Sequence, residues 1–179
     1  MNSNTDFTHF KLLPDWKPVI FHGHTIRSVV TRTLWNKIRQ HILKTYNYTC
    51  CICDFNATSN EEFRKLHVHE VGEYDFENLV CHLKGLQLIC ATCHSFHHFQ
   101  RTIRVLNKEQ LIHLENHFMR VNNCEKGILH KCVLKKQEQL KNLNTYLLKH
   151  TTVTFTVNKD VPFYDEILKQ LIKKNILFQ

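Results

Sequence analysis

Two C-x2-C turns, Cys50 with Cys53 and Cys90 with Cys93, constrain this chain more than any other feature of its sequence. A turn of that spacing presents two sulfurs on one side of an ion. Tetrahedral Zn²⁺ takes four soft ligands at about 2.3 Å, so two such turns close one structural site. Residues 54 to 89 lie between the pairs, more than the roughly 15 to 20 that compact four-cysteine sites leave, and must fold back as a small unit of their own. Cys50, Cys53, Cys90 and Cys93 are therefore assigned to one zinc. Cys51 is a rival for Cys50 through the rarer C-x-C turn, and two buried thiol turns or a redox C-x2-C form the competing reading. Cys81, Cys124 and Cys132 have no paired spacing and are expected as free, buried thiols.

Compartment bears on that assignment. The opening residues, MNSNTDFTHF, carry neither a basic segment nor an apolar one, and no run of about 18 apolar residues follows. A soluble, cytoplasmic protein without a membrane span is expected, and a reducing compartment turns eight cysteines from disulfides toward metal ligands and buried thiols. Hydrophobic residues make up 42% of 179, with four Gly and three Pro, which excludes a disordered chain and allows one main core. Lys and Arg number 24 against 16 Asp and Glu, a formal charge of +8. That balance favours an acidic partner, most often a polyphosphate backbone, with solubility alone as the bland alternative.

Along the chain, residues 1–30 hold two of the three prolines and no clean period, an irregular arm in which His22 and His24 are surface residues. From Thr33, TLWNKIRQHILKTY places Leu34, Ile38, Ile42 and Tyr46 on one helix face beside Trp35. LHVHEV and GLQLIC alternate as short strands and TCHSFHHF starts a helix, a ββα order. NKEQLIHLENHFMRV has Asn107 as N-cap and Leu111, Leu114, Phe118 and Met119 on one face. A further helix is expected over Glu125–Leu148, TVTFTV is a half-buried strand, and Ile167, Leu168, Leu171, Ile172 and Ile176 mark an amphipathic C-terminal helix. The fold class is α+β, divided into the arm 1–30, a central domain 31–125 and an extension 126–179.

The histidines beside the second turn suggest a second ion. His94 and His98 are four residues apart, so on a helix starting at Cys93 both rings project from one face. His69, on the strand between the two zinc turns, is the best third ligand for a catalytic divalent metal.

Taken together, YTCCICD, LHVHEVGEYD and GLQLICATCHSFHH resemble the HNH endonuclease family in its zinc-stapled form, C-x2-C, a histidine strand, then L-C-x2-C-H-x3-H. LWNKIRQHILKTYNYTCCIC and LIHLENHFMRVNN are similar to the helices that precede and follow the site in a bacterial and phage subset whose strand reads H-E-V/I-W-E-Y-D. The resemblance covers roughly residues 25–125. It implies a ββα-metal core stapled by the four-cysteine zinc, with flanking helices and a C-terminal strand plus helix outside it. It also implies hydrolysis of a phosphodiester in DNA, double-stranded by expectation, with one divalent ion, Mg²⁺, Mn²⁺, Ni²⁺ or Zn²⁺. His69 then falls on the first-strand ligand, Glu70 on the general base, and His94 and His98 on the helix ligands; an alternative register makes His69 the base.

This chain departs from the family in having Glu70 where histidine is usual, Gly85 where the middle asparagine falls and Gly72 in place of the subset's tryptophan. Arg27, Arg32, Lys37, Arg39, Arg101 and Arg104 flank the site and are candidates for contacts to the nucleic-acid backbone. Two other classes compete with the nuclease: a zinc-stapled module that grips nucleic acid without cutting, and a protein that uses residues 151–176 to bind a protein partner or a second copy of itself.

Overall fold

Alternating and helical stretches sort this sequence into an α+β protein with one small three-stranded sheet and, among the described residues, eight α-helices. The computed structural model describes residues 6–141 and 152–179. These form two compact units, one drawn from residues 18–90 and 152–179, the other from 6–17 and 91–141.

In the first unit, α1 (Ile26–Val29) is a single turn closed by a capping box between Thr25 and Ser28. α2 (Arg32–Thr45) buries Leu34, Trp35, Ile38 and Ile42, the stripe its spacing demands, together with Leu43. The short α3 (Asn60–Phe63) is capped in the same reciprocal way by Ser59 and Glu62. β1 (Leu66–Asp75) and β2 (Val80–Cys90) then form an antiparallel hairpin, from Leu66 opposite Cys90 to Asp75 opposite Val80. Both strands are longer than LHVHEV and GLQLIC alone indicate. The turn between them is an Asx turn in which Asp75 Oδ1 accepts from the backbone N–H of Glu77 and Asn78.

β3 (Thr154–Val157) adds parallel to β2 on the edge opposite β1, so β2 is the central strand. Beyond the reach of β3, Leu88 and Ile89, adjacent in sequence and therefore on opposite faces, are both fully buried, so both faces of β2 are covered at this end. α8 (Tyr164–Lys173) lays Ile167 and Leu171 into this core, and its Gln170 Oε1 accepts from Thr31 N–H at the start of α2. Ile172, assigned to the same apolar face, is exposed.

The second unit holds α4 (Ala91–His97), α5 (Phe99–Val105), α6 (Lys108–Asn122) and α7 (Ile128–Lys141), and the first three contribute Phe96, Phe99 and Phe118 to a cluster of aromatic rings. Phe96 and Phe118 are fully buried with centroids 5.7 Å apart, Phe99 stacks on Phe96 and Phe10 meets Phe118 edge-on. Residues 6–17 are irregular because their backbone bonds go to side chains and helix ends. Asn122 both donates to Leu12 C=O and accepts from Leu12 N–H, and Asp15 exchanges two backbone bonds with Phe96 and Phe99.

Asn107 caps α6 as its sequence predicts, accepting from Gln110 N–H. The buried stripe of that helix is Leu114, His117 and Phe118, with His117 taking the place expected of Met119. The helix expected over Glu125–Leu148 starts at Ile128, and residues 142–148 lie outside the described residues.

The hairpin has one irregularity, a bulge at Lys84, where Val71 pairs with Gly85 and Gly72 with Leu83. Here the backbone crowds Gly72: a Cβ added to it would stand 3.0 Å from the His82 carbonyl oxygen, whereas one on Gly85 meets nothing within 4 Å. The tryptophan of the resembled subset therefore has no room at position 72 without a shift of β2. Gly72→Ala is expected to destabilise the protein by about 1–2 kcal/mol, the usual scale of backbone crowding, and Gly85→Ala to be neutral or stabilising by up to about 1 kcal/mol. Urea unfolding midpoints at constant slope measure both; equal effects at the two glycines would refute the crowding at Gly72.

Candidate metal centre

The first cysteine turn is shaped by the residues around it. α2 ends at Thr45 with Tyr46 as its cap, and Asn47 and Tyr48 then take left-handed backbone angles that reverse the chain. Thr49 bridges Asn56, Cys50 N–H donates to Phe55 C=O, Asp54 N–H donates to Cys50 C=O, and Asp54 is again left-handed. Asn and Asp tolerate that region better than other side chains do, so Asn47 and Asp54 suit two of the three left-handed positions around this turn, and Tyr48 holds the third. Cys51 N–H donates to Leu88 C=O and fastens the turn to β2. The second turn needs no loop of its own: β2 ends at Cys90 and α4 begins at Ala91, so Cys90 and Cys93 sit on either side of a strand-to-helix junction.

The Sγ atoms of Cys50, Cys53, Cys90 and Cys93 lie within 4.8 Å of one another, the convergent group of Cys, His, Asp or Glu side chains among the described residues. Cys53 and Cys90 sulfurs are 3.6 Å apart. Four ligands at about 2.3 Å from a tetrahedral ion are separated by about 3.8 Å, so this spacing suits Zn²⁺. Cys50, Cys90 and Cys93 are buried and none of the four is in a disulfide. The four-cysteine cluster is thus present, and it can hold a structural metal such as zinc.

Cys51 is set apart from that group. Its side chain is exposed, its thiol donates toward Gln87 Oε1 at 3.6 Å, and partial desolvation first and the neighbouring Cys50 sulfur second push it up to about 11. Cys132 is buried as expected and its thiol is likewise pushed up to about 11, by burial first and by Cys124 second. Cys81 is buried too, whereas Cys124 is only half-buried.

His94 and His98 are brought together. Their rings meet edge-on with centroids 4.6 Å apart, as a four-residue spacing predicts. The segment is two helices rather than one: the backbone breaks at His98, which becomes the residue before α5, and leaves its ring exposed while His94 is half-buried. His69 is half-buried on β1, opposite Gln87 of β2.

Glu70 is tied down in a way the sequence does not announce. Its Oε2 accepts from Ile26 N–H and its Oε1 from Arg27 N–H, both at 2.9 Å, so the carboxylate satisfies two orphan donors of the first turn of α1.

The basic candidates divide by what they touch. Arg39 donates to the carbonyls of Leu66 and Phe63, and its burial lowers its pKa from the usual arginine value. The Arg27 guanidinium lies 5.9 Å from the centroid of the Trp35 ring. Arg32 and Lys37 on α2, and Arg101 and Arg104 on α5, are exposed. Beside Lys37, an open groove of about 610 Å³ is lined by His41, Lys44 and Phe163 among others.

Sequence reasoning missed one residue at the cluster, His117. Its Nε2 lies 3.2 Å from Cys93 Sγ. The pattern H-x2-R in α6 sets His117 and Arg120 one turn apart, but nothing local points either of them at a cysteine.

If the four cysteines hold the metal and Cys51 does not, Cys51→Ser keeps one zinc per chain and Cys50→Ser loses it, read by metal analysis of the purified proteins. Chelation of the wild type is expected to lower its melting temperature, because binding to the folded state alone stabilises by mass action. Equal zinc content in the two variants would break the assignment. Comparison of the chain with family models, with curated proteins and with solved structures returns no match.

Proposed function

We propose that this chain is a metal-dependent DNA endonuclease of the HNH type, hydrolysing phosphodiester bonds. The observation that supports this reading best is the pair of His94 and His98 rings, 4.6 Å apart on the segment that leaves the four-cysteine cluster. The hairpin and helix follow in the ββα order, β1, β2, α4.

In this reading His94 and His98 hold the catalytic ion and His69 takes the alternative register, as base rather than third ligand, since the four cysteines are the group of three or more metal-ligating side chains that converges among the described residues. A divalent metal bound there supplies stabilisation of the charge that develops on the scissile phosphate and the leaving oxygen. The protein contributes the proton transfer. His69 takes a proton from the attacking water, a task for which imidazole is suited near neutral pH. Glu70, with both oxygens already accepting backbone N–H bonds, has the role of holding α1 against the strand that carries His69. The four-cysteine site, holding zinc, ties the end of β2, the strand paired with the one that carries His69, to the start of α4, the helix that carries His94.

The duplex is gripped by charge. Arg32, Lys37, Arg101 and Arg104 are exposed and, on a chain of formal charge +8, are the candidates for phosphate contacts. Arg39, whose guanidinium already serves two carbonyls, is given a bracing role instead.

The test is nicking of supercoiled plasmid by protein holding one equivalent of zinc, with Mg²⁺, Mn²⁺, Ni²⁺ or further Zn²⁺ added. Wild type is expected to nick with at least one of these ions, His94→Ala to lose the activity, and His69→Ala to fall by about 100-fold or more, the usual cost of removing a general base. No nicking with any ion sinks the nuclease and leaves a zinc-stapled protein that binds nucleic acid or a partner without cutting. Lys37→Ala is expected to weaken duplex binding and to flatten its salt dependence by about one unit of slope.

A further inference from the structure

His117 is buried on α6, next to the fully buried Phe118. Its two ring nitrogens face different partners: Nε2 lies 3.2 Å from Cys93 Sγ, and Nδ1 lies 3.0 Å from the Arg120 guanidinium. A guanidinium only donates hydrogen bonds, so Nδ1 is the acceptor of that pair. A neutral imidazole that accepts at Nδ1 carries its proton on Nε2, and that proton is aimed at sulfur.

Cys93 is fully buried, so its sulfur is cut off from water when ionised and needs donors from the protein. Four thiolates around one divalent ion outweigh its charge, and an N–H pointed at one of them offsets part of the excess. Metal ligands generally depend in this way on the groups behind them, and loss of such a group costs about 10- to 100-fold in metal affinity.

We propose that Arg120 and His117 are positioning residues for the metal centre: Arg120 holds His117 in the tautomer with hydrogen on Nε2, and His117 donates that hydrogen to the Cys93 thiolate, which tightens the hold of the four cysteines on a zinc ion. This rests on the four-cysteine reading of the site and is independent of whether the protein cuts DNA. No step of it involves His117 as a ligand.

The experiment uses the full zinc-loaded chain, challenged with excess chelator while zinc release is followed by a chromogenic indicator. His117→Leu, which keeps bulk and removes the donor, is expected to release zinc about 10- to 100-fold faster than wild type. His117→Gln, whose amide places an N–H near the position of Nε2, is expected to stay close to wild type, and Arg120→Met to fall between. With Co²⁺ in place of zinc, the sulfur-to-metal charge-transfer bands are expected to move in His117→Leu and to return in His117→Gln.

Release at the wild-type rate in His117→Leu overturns the relay. So does equal, fast release from His117→Leu and His117→Gln, which would mean that the ring acts by packing alone. Should His117→Leu fail to fold, Arg120→Met decides, since it leaves the ring in place: wild-type release there removes Arg120 from the relay and refutes it. A wild type that holds no zinc overturns this proposal and the metal site together, whereas one that holds zinc with His117→Leu unaffected overturns the relay alone.

Discussion

Four cysteine sulfurs within 4.8 Å of one another, three of their residues buried, set a problem that only a cation solves well. As thiols they are weak donors and acceptors and gain little from meeting at one point. As thiolates they repel, and burial makes the repulsion worse. A divalent ion removes both difficulties, and the free energy of its binding becomes folding free energy. The elements that carry the candidate chemistry hang from this point. β2 ends on one of the cysteines and α4 begins before the next, so the register of the β1–β2 hairpin, Leu66 opposite Cys90, is pinned at the cluster.

Much of this arrangement is legible in the sequence because it follows from local periods and short spacings. The apolar stripe of α2, the Asn107 cap of α6, the half-buried TFTV strand and the cysteine cluster are each encoded within a few neighbouring residues. Other features depend on partners far away along the chain. That β3 runs parallel to β2, with Thr154 N–H donating to Leu79 C=O and Asn158 N–H to Leu83 C=O, depends on a partner about 70 residues away that alternation does not reveal. His117 replaces Met119 in the buried stripe because its polar nitrogens are satisfied by Cys93 and Arg120. An imidazole can be buried when both nitrogens have partners, and sequence patterns rank it as a surface residue when those partners are unknown.

Glu70 shows the same limit at the candidate site itself. Position alone, by resemblance, gives it the work of a base. The structure shows its two oxygens accepting from Ile26 and Arg27, so that the carboxylate is part of what fixes α1. Gly72 is the complementary case: as a letter it reads as a missing tryptophan, while the approach of the His82 carbonyl to within 3.0 Å of where its Cβ would stand makes the small residue a consequence of the bulge at Lys84.

The parallel pairing of β3 with β2 also bears on how the chain reaches this state. Val80–Leu83 meet Thr154–Val157, so the central strand acquires its second neighbour only from the far end of the sequence. Local pairing of β1 with β2 is fast and low in loop entropy, while this long-range pairing is slow. During synthesis the hairpin therefore stands with one edge of β2 open until residues 154–157 have left the ribosome, and an open edge of that kind invites pairing with other chains. The vulnerable interval in the making of this fold is the time between the synthesis of the four-cysteine cluster and that of β3.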